Sequence, residues 1–306
     1  MSEIIKNRTE MLFLYDIENA NPNGDPLNEN RPRFDPDSKT ILVSDVRLKR
    51  TIRDYWFEYE GFNGKGGKDI FVRETKYTDA GNEYVADGKT RAKDFSEMKE
   101  EVIEKCIDIR VFGGVLPLTN DSITFTGPTQ FQMGRSLNKT DIITEQGTGA
   151  FASGLKKQQA TFRTEYKVPY ALIGFNGIIN EKAAAYSQMT EEDKELLFKG
   201  IWDGTKNLIS RSKFGQAPVL FLSINYKEPF YIGNLRQKLQ IISDVDETQI
   251  RSTKDYGLKL DELFEALLEN EDKIESIDVK YDKRLKLIFK DKDFVFTNNN
   301  LNLNEI

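Results

Sequence analysis

The order of the apolar segments constrains the fold of this 306-residue chain more than any other feature of its sequence. Residues 10–17 alternate between apolar and polar side chains as a strand does, and residues 44–59 carry an apolar face at helical spacing. Four further segments follow in the order strand, strand, helix, strand, at 122–133, 166–179, 190–209 and 219–226. The complete order matches a ferredoxin-like unit, so the sequence predicts an α+β fold built on a modified unit of this kind.

Two long polar segments interrupt this order and divide the predicted fold. The predicted units are a core (1–60 with 106–133 and 166–230), two insertions (61–105 and 134–165) and a C-terminal extension (231–306). A short strand is predicted at 107–112, and the strand at 122–133 is expected to bend at Gly127-Pro128. The second insertion is predicted to form an extended loop or a hairpin. In the extension, a helix near 260–268 and a hairpin over 277–289 are expected to pack on the core.

The chain contains no histidine and a single cysteine, Cys106. This composition excludes Ser-His-Asp and Cys-His catalysis and argues against a zinc site. Any catalysis would have to use carboxylates with a hard metal, or Lys or Tyr side chains. The lone cysteine fits a reducing compartment. The sequence has no run approaching 18 apolar residues and no secretory signal at its N-terminus, so we expect a cytoplasmic protein without a membrane segment.

Positive charge is concentrated locally on a chain whose net charge is −6. Residues 31–53 carry seven Lys or Arg and three Asp, a local net charge of +4, and residues 131–168 reach +3. The helix at 44–59 places three cations on one flank of its apolar face: Lys49, Arg50 and Arg53. Arg47 falls on the other flank. A positive patch on an acidic protein predicts a phosphate-bearing partner, and an ordinary amphipathic helix with surface charges is the alternative.

A polar loop of about twenty residues precedes this helix and is rich in Asn, Pro, Gly and Asp. Loops of this length are usually functional or disordered, and the turn-forming residues favour a shaped loop. Its carboxylates, Asp25, Asp35 and Asp37, could hold Mg²⁺ beside a phosphate backbone. Capping of turns is the more ordinary role of these side chains, because Asp-Pro and Gly-Asp-Pro sequences favour it.

Several motifs, in sequence order, carry a resemblance to a known family. They are Asn21-Pro-Asn-Gly-Asp25, Arg31-Pro-Arg-Phe-Asp35, Val43-Ser-Asp-Val-Arg-Leu-Lys-Arg50, Arg110-Val-Phe-Gly113, Thr126-Gly-Pro-Thr-Gln-Phe131, Gly134-Arg-Ser136 and Val168-Pro-Tyr170. Over these motifs the chain resembles the backbone subunit of type I CRISPR Cascade complexes, the family-seven Cas protein of the RAMP superfamily. The subtype I-B branch is the most similar, and the I-C branch is close to it.

The resemblance implies an RRM-like palm with fingers inserted at 61–105 and a thumb at 134–165. It also implies a non-catalytic protein without cofactors, whose copies form a helical filament along CRISPR guide RNA (crRNA). In that role the protein presents the guide for pairing with target DNA, beside other Cascade subunits. The RNA-binding residues that the resemblance implies are Asn21, Asn23, Lys49, Arg50, Arg53, Gln132, Arg135, Ser136, Lys139 and Arg163. Charge and loop position add Arg211 and Lys213.

Two other functions stay open from the sequence. Related backbone subunits of type III complexes cut target RNA with a loop aspartate and a divalent metal, and Asp25 or Asp35 could be placed similarly. A protein-interaction module that binds no nucleic acid is the other possibility. Protein that is purified free of nucleic acid, and that has no affinity for RNA at low salt, would favour such a module.

Overall fold

The computed structural model describes residues 2–79, 81–96, 98–117, 122–148, 162–297 and 301–303. The strands are β1 Thr9–Ala20, β2 Gly24–Asp25, β3 Arg31–Pro32, β4 Phe34–Asp35, β5 Thr40–Val43, β6 Lys76–Asp79, β7 Asn82–Val85, β8 Gly113–Pro117, β9 Ser122–Thr126, β10 Thr129–Phe131, β11 Gly134–Ser136, β12 Ile143–Thr148, β13 Phe162–Ile179, β14 Gln216–Tyr226, β15 Gln240–Ile242, β16 Gly257–Lys259, β17 Ile274–Tyr281, β18 Leu287–Phe289 and β19 Lys292–Phe294. The α-helices are α1 Asp45–Tyr59, α2 Gly88–Ala92, α3 Met98–Lys105, α4 Ile107–Phe112, α5 Glu181–Ser187, α6 Glu191–Lys206 and α7 Asp261–Leu268. The predicted α+β class is confirmed.

A large antiparallel sheet organises the protein. Its strands run in the order β17-β14-β1-β13-β11-β5-β4, and β10 and β12 pair with β13 at other points along its length. β1 pairs with β13 on one side and with β14 on the other. The three longest strands, β14, β1 and β13, therefore lie side by side in this sheet.

β1 is buried on both faces. Phe13 and Tyr15 belong to the apolar cluster on the side of α1 and α6, whereas Leu12 and Leu14 belong to the cluster on the opposite side. Successive side chains of a strand point to opposite faces of its sheet, so a central strand covered on both faces needs an almost continuous apolar run. The Met11–Ile17 segment supplies such a run around Asp16.

α1 and α6 pack closely on one face of this sheet. A Cβ atom placed on Gly200 would lie 2.8 Å from Cγ2 of Ile52, and one on Gly204 would lie 3.1 Å from Cβ of Tyr55. The indole of Trp56 donates a hydrogen bond to the Leu196 carbonyl at 2.8 Å. The two glycines of α6 thus permit a close helix contact that larger residues would prevent.

The C-terminal region covers the opposite face, but its pairing differs from the prediction. The predicted helix near 260–268 is confirmed as α7. The predicted hairpin over 277–289 is wrong, because β17 pairs antiparallel with β14 and extends the central sheet. β18 instead pairs in parallel with β16 and antiparallel with β19. The open edge of β14 offers β17 more backbone partners than the short β18 could.

Two further predictions are corrected. Residues 107–112 form the helix α4 rather than a strand, and their apolar side chains reach two clusters: Ile107 and Val111 pack in the main core, whereas Ile109 packs against the first insertion. The predicted strand over 122–133 divides at Gly127, where β9 pairs with β8 and only β10 joins the central sheet. A Cβ on Gly127 would lie 2.0 Å from the carbonyl carbon of Phe112, so the chain turns where only glycine fits.

The two insertions contain regular structure within the described residues. Residues 61–105 include the β6–β7 hairpin and the helices α2 and α3. In the second insertion, β12 pairs antiparallel with the beginning of β13, from the Ile143–Lys167 pair to the Thr148–Phe162 pair. Residues 149–161 lie outside the described residues.

Candidate nucleic-acid interface

The long loop between β1 and α1 is a defined structure anchored to the start of α1. Asn23 Oδ1 accepts hydrogen bonds from the backbone N–H of Ser44 at 2.9 Å and from its hydroxyl at 2.8 Å. Asn21 Nδ2 donates to the Asn30 carbonyl at 2.7 Å, and both asparagine side chains are buried. The two asparagines therefore shape the loop from inside. Asn21 Oδ1 has no hydrogen-bond partner within the described part of the chain.

The cations predicted on one flank of α1 separate into two environments. Lys49 and Arg53 lie over the ring of Phe112, at 5.7 and 5.1 Å from its centroid. Their side chains are only 12% and 13% exposed. Arg50 is directed outward, where its Nε donates to Asp54 at 2.6 Å and 61% of its side chain is exposed. The structure thus brings Lys49 and Arg53 together and leaves Arg50 apart from them.

Arg53 is part of the protein interior. Its Nε donates to Asp108 at 2.9 Å, and that aspartate is fully buried. The same carboxylate accepts the backbone N–H groups of Phe71 at 2.7 Å and of Val72 at 3.0 Å. Arg53 therefore joins α1 to α4 and, through Asp108, to the first insertion. Moving its guanidinium to an RNA phosphate would leave a buried carboxylate without its cation, which is strongly unfavourable.

Arg135 is held at the start of the second insertion by three side-chain oxygens. Its Nη1 donates to Asp35 at 2.8 Å, to Ser38 at 3.1 Å and to Thr40 at 2.9 Å. The hydrogen bond from Arg135 lowers the pKa of Asp35 to about 2. The Arg135 side chain is still 39% exposed, and a guanidinium has five N–H donors, so it can bind a second acceptor.

Ser136 and Lys139, predicted beside Arg135, have different environments. Ser136 is buried, and its hydroxyl donates to the Asn138 carbonyl at 2.7 Å while accepting the N–H of Ile41 at 3.0 Å. Lys139 is exposed, and its backbone N–H donates to Glu247 at 2.9 Å. The Lys139 ammonium lies 3.7 Å from the same carboxylate. Ser136 thus fixes the backbone around β5, whereas Lys139 faces the C-terminal region.

A chain of hydrogen bonds connects Gln132 with Arg236, a cation that the sequence motifs did not indicate. Gln132 Oε1 accepts a hydrogen bond from Asn176 at 3.0 Å, and Asn176 Oδ1 accepts the backbone N–H of Arg236 at 2.9 Å. The Arg236 guanidinium donates to the Gly174 carbonyl at 3.4 Å, and a Cβ on Gly174 would lie 2.9 Å from the Arg236 side chain. Burial and the nearby Arg135 lower the pKa of Arg236. The sequence signal for this contact was Gly174, because a glycine inside a strand often marks the close approach of another segment, here the Arg236 side chain.

The remaining predicted cations lie around the segment that precedes β14. Lys213 donates a hydrogen bond to the Asn21 carbonyl, and burial lowers its pKa to about 8. Arg211 forms an ion pair with Glu165 of β13, and 61% of its side chain is exposed. Arg163 lies in the part of β13 that pairs with β12, and its side chain is outside the described residues. The structure therefore brings Lys213 and Asn21 together.

A cleft of about 420 Å³ lies between the long loop and the start of the second insertion. Arg31 and Arg33 line it together with Met133. The Arg31 guanidinium lies 4.4 Å from the ring centroid of Tyr166, and Arg33 donates to Asp25 at 3.4 Å. Both arginines belong to a motif that carried the resemblance, yet neither was predicted to bind RNA.

The loop aspartates are engaged in turns and ion pairs. Asp25 accepts the N–H of Leu27 at 3.3 Å, and Asp35 accepts the N–H of Asp37 at 3.2 Å. Arg33 and Arg135 supply the opposite charges. Within the described ranges, no group of three or more His, Cys, Asp or Glu side chains is placed to hold a metal ion.

Comparison with known proteins places the chain in a family. A family model described as CRISPR-associated protein Cas7 matches residues 7–261. A curated relative from Haloferax volcanii, named CRISPR-associated protein Cas7, is 31% identical over 314 residues. The alignment covers 94% of this chain and 90% of that relative.

Solved structures agree with the fold. A chain from a CRISPR RNA-guided surveillance complex is similar with a TM-score of 0.54 and 12% identity, covering 93% of this chain and 95% of that chain. A second chain, from a pre-nicking form of such a complex, is similar with a TM-score of 0.54 and 10% identity, covering 87% and 89%. At these identities the likeness concerns the fold. None of the described helices is long and apolar enough to cross a membrane.

Proposed function

This chain belongs to the CRISPR-associated Cas7 family, and we propose that it is a non-catalytic, crRNA-binding backbone subunit of a type I Cascade-like complex. The family match over residues 7–261 is the observation that carries the proposal. The names of the similar structures, which are RNA-guided surveillance complexes, point in the same direction. Assignment to subtype I-B stays a prediction.

The chemistry of the surface supports binding to the RNA backbone. A guide must carry any sequence, so its carrier should contact phosphates and 2′-hydroxyls and leave base edges free. Arg50 and Lys139 are exposed cations, and Arg135 keeps free donors although it is paired with Asp35. Guanidinium and ammonium groups bind phosphate without reading the base.

We propose that the core is a modified ferredoxin-like, RRM-like palm. The order β14-β1-β13-β10 places the first and third strands of the predicted β-α-β-β-α-β unit at the centre, with α1 and α6 on one face. In this proposal the fingers are residues 61–105, the thumb is 134–165, and residues 231–306 are an extension packed on the palm.

The same proposal includes the assembly. Copies of the chain would line up along one crRNA in the cytoplasm as a helical filament, together with other Cascade subunits, and hold the guide for pairing with target DNA. The β12–β13 hairpin, whose strands extend from the sheet, is the element suited to reach a neighbouring copy.

The test is RNA binding by the purified chain across a salt series. We expect binding of unrelated RNA sequences with similar affinity and assemblies that grow with RNA length. In an Arg50→Gln/Lys139→Gln variant, two lost phosphate contacts should make the slope of log K against log salt shallower by about 1.4, at about 0.7 for each phosphate of a single strand. A Lys182→Gln/Lys254→Gln variant changes two other exposed lysines by the same charge and should behave as the wild type.

Wild-type protein without affinity for RNA at low salt would contradict the proposed function. A second arm adds Mg²⁺ and RNA paired to the bound guide, and no cleavage is expected. Site-specific cuts that disappear in Asp25→Asn or Asp35→Asn would contradict the non-catalytic assignment and favour a metal-dependent ribonuclease.

A further inference from the structure

The C-terminal extension places a cation on the central sheet. Arg236 belongs to the short 3₁₀ helix Leu235–Lys238, and its side chain lies over β13. A Cβ on Gly174 would lie 2.9 Å from Cγ and Cδ of Arg236 and 2.9 Å from Cδ2 of Leu14. Leu14 belongs to the cluster on the face opposite α1 and α6, so Arg236 lies on that face.

Arg135 lies on the same face, next to Arg236. In the antiparallel pair of β11 and β13, Arg135 is the cross-strand partner of Gly174. Directly opposed residues of such a pair have Cα atoms within about 5.5 Å of each other, and their side chains point to the same face. Nη1 of Arg236 also donates to the carbonyl of Met133, just before β11, at 3.3 Å. The register and this hydrogen bond place the two arginines side by side.

Arg236 has no carboxylate partner in the part of the chain that the structure describes. Its two hydrogen bonds go to the carbonyls of Met133 and Gly174, at 3.3 and 3.4 Å. Asp35 forms an ion pair with Arg135 and so compensates one of the two positive charges. Burial and the charge of Arg135 lower the pKa of Arg236, which agrees with a cation that has no anion beside it. Charges removed from water are normally paired, so this place favours an additional anion.

Both arginines keep donors for such an anion. A guanidinium has five N–H donors. Among the described residues, Arg135 and Arg236 each form hydrogen bonds through Nη1 alone. The Arg135 side chain is 39% exposed and Arg236 is half-buried, so an anion can reach both from solvent. The planar donor pairs of guanidinium groups suit the two free oxygens of a phosphodiester.

The backbone of Arg236 is held in place by side chains of the sheet. Its N–H donates to Asn176 Oδ1 at 2.9 Å, and Asn176 Nδ2 donates to Gln132 Oε1 at 3.0 Å. The backbone N–H of Gln132 in turn donates to the Asn176 carbonyl at 2.9 Å. These hydrogen bonds connect the extension with the segment between β10 and β11. A donor that is already held in position binds a ligand with little loss of conformational entropy.

We infer that Arg236 and Arg135 together bind one phosphate of the guide RNA backbone. The inference rests on the proposed function and assigns an RNA contact to the C-terminal extension, on the sheet face opposite α1. An RNA phosphate supplies the anion that the two arginines lack, whatever base its nucleotide carries. Arg135 was predicted from the sequence motifs to bind RNA, whereas Arg236 was not.

The test compares Arg236→Gln with the wild type and with Arg251→Gln. Arg251 is a matched control, because it also lies in the C-terminal extension and donates to two backbone carbonyls, those of Thr248 and Ile250. The probe is a short single-stranded RNA of mixed sequence, titrated into the full-length chain at several salt concentrations. We expect Arg236→Gln to bind about tenfold more weakly at low salt, because a charged hydrogen-bond donor to phosphate is lost. Arg251→Gln should match the wild type.

A double variant tests whether the two arginines share one phosphate. Arg135→Gln/Arg236→Gln should make the slope of log K against log salt shallower by about 0.7, the value for one phosphate of a single strand. Its loss of affinity should be smaller than the product of the two single losses, because both substitutions remove the same contact. A slope change of about 1.4 with multiplicative losses would indicate two separate phosphates and would overturn the shared site.

Thermal unfolding separates a binding role from a structural one. Arg236→Gln removes an uncompensated charge and two long hydrogen bonds, so the RNA-free variant should unfold close to the wild-type temperature. Added RNA should raise its unfolding temperature less than that of the wild type. Arg236→Lys keeps the positive charge and should retain part of the affinity. If RNA-free Arg236→Gln unfolds well below the wild type and Arg236→Lys retains no affinity, Arg236 has a structural role and the inference is overturned.

Failure of this inference can be told apart from failure of the proposed function. If the wild type does not bind RNA, the proposed function fails, and the inference fails with it. If the wild type binds RNA and Arg236→Gln has the same affinity and salt slope, the inference alone is overturned.

Discussion

The buried Arg53–Asp108 ion pair gives the sharpest prediction about the stability of this protein. Asp108 is fully buried and accepts three hydrogen bonds, from Arg53 at 2.9 Å and from the backbone N–H groups of Phe71 and Val72 at 2.7 and 3.0 Å. The pair connects α1 with α4, and Asp108 in turn holds the first insertion through the backbone of Phe71 and Val72. Asp108→Ala removes the acceptor for all three donors at once.

The expected loss of stability comes from the Arg53 charge, which Asp108→Ala leaves buried without a partner. Removing one partner of a buried ion pair typically destabilises a protein by 3–5 kcal/mol, because the other charge stays desolvated, and we expect about 4 kcal/mol here. Arg53 is only 13% exposed, so water cannot readily replace the carboxylate. With a urea m-value of about 3 kcal/mol/M, the unfolding midpoint should fall by about 1.3 M.

The assay is urea unfolding, with a double-mutant cycle and a control on the same helix. Asp108→Asn combined with Arg53→Met removes both charges and should be less destabilised than the sum of the single variants, with a coupling of at least about 2 kcal/mol. Asp54→Ala breaks the exposed Arg50–Asp54 pair and should cost less than about 1 kcal/mol. A loss below about 1 kcal/mol for Asp108→Ala, or additive single effects, would refute the reasoning.

Two further predictions concern packing and pH. Gly200→Ala places a Cβ 2.8 Å from Ile52, so overpacking between α1 and α6 should cost about 1–2 kcal/mol in urea unfolding despite the better helix propensity of alanine. Asp35 has its pKa lowered to about 2 by Arg135, so its contribution to stability is complete above about pH 4 and is lost as the pH falls toward 2. Asp35→Asn should lower the urea midpoint at pH 7, and its midpoint should fall less steeply than that of the wild type between about pH 4 and pH 2. If the midpoints of both proteins fall equally steeply over this range, Asp35 does not contribute to stability in this way.

Elements with a strong local pattern were predictable. The apolar period of α1 and the nearly continuous apolar run of β1 specify their secondary structure without reference to distant residues. The pairing of residues 277–289 was not predictable in the same way, because β17 takes its partner from β14, about fifty residues earlier in the chain. Residues 107–112 are apolar on several sides, and a short apolar run fits a strand or a buried helix equally well.

In the candidate site, too, local features were predictable from the sequence and contacts between distant residues were not. The sequence located the loop, the basic helix and the start of the second insertion, since turn-forming residues and local charge are visible along the chain. It could not indicate which cations are already paired. Asp108 engages Arg53 from 55 residues away, and Arg236 reaches β13 from the C-terminal extension.

The sequence by itself determined the α+β class, the order of the central elements and the family, because each depends on local periodicity or on motifs read along the chain. Tertiary structure decided which strand edges pair, which glycines allow close contacts, and which cations stay without a carboxylate. The physical reason is that pairing and desolvation depend on distances between residues far apart in sequence. Arg47 and Arg53 belong to the same helix, and only folding pairs Arg53 with Asp108 while the Arg47 guanidinium donates to the Thr51 hydroxyl of its own helix.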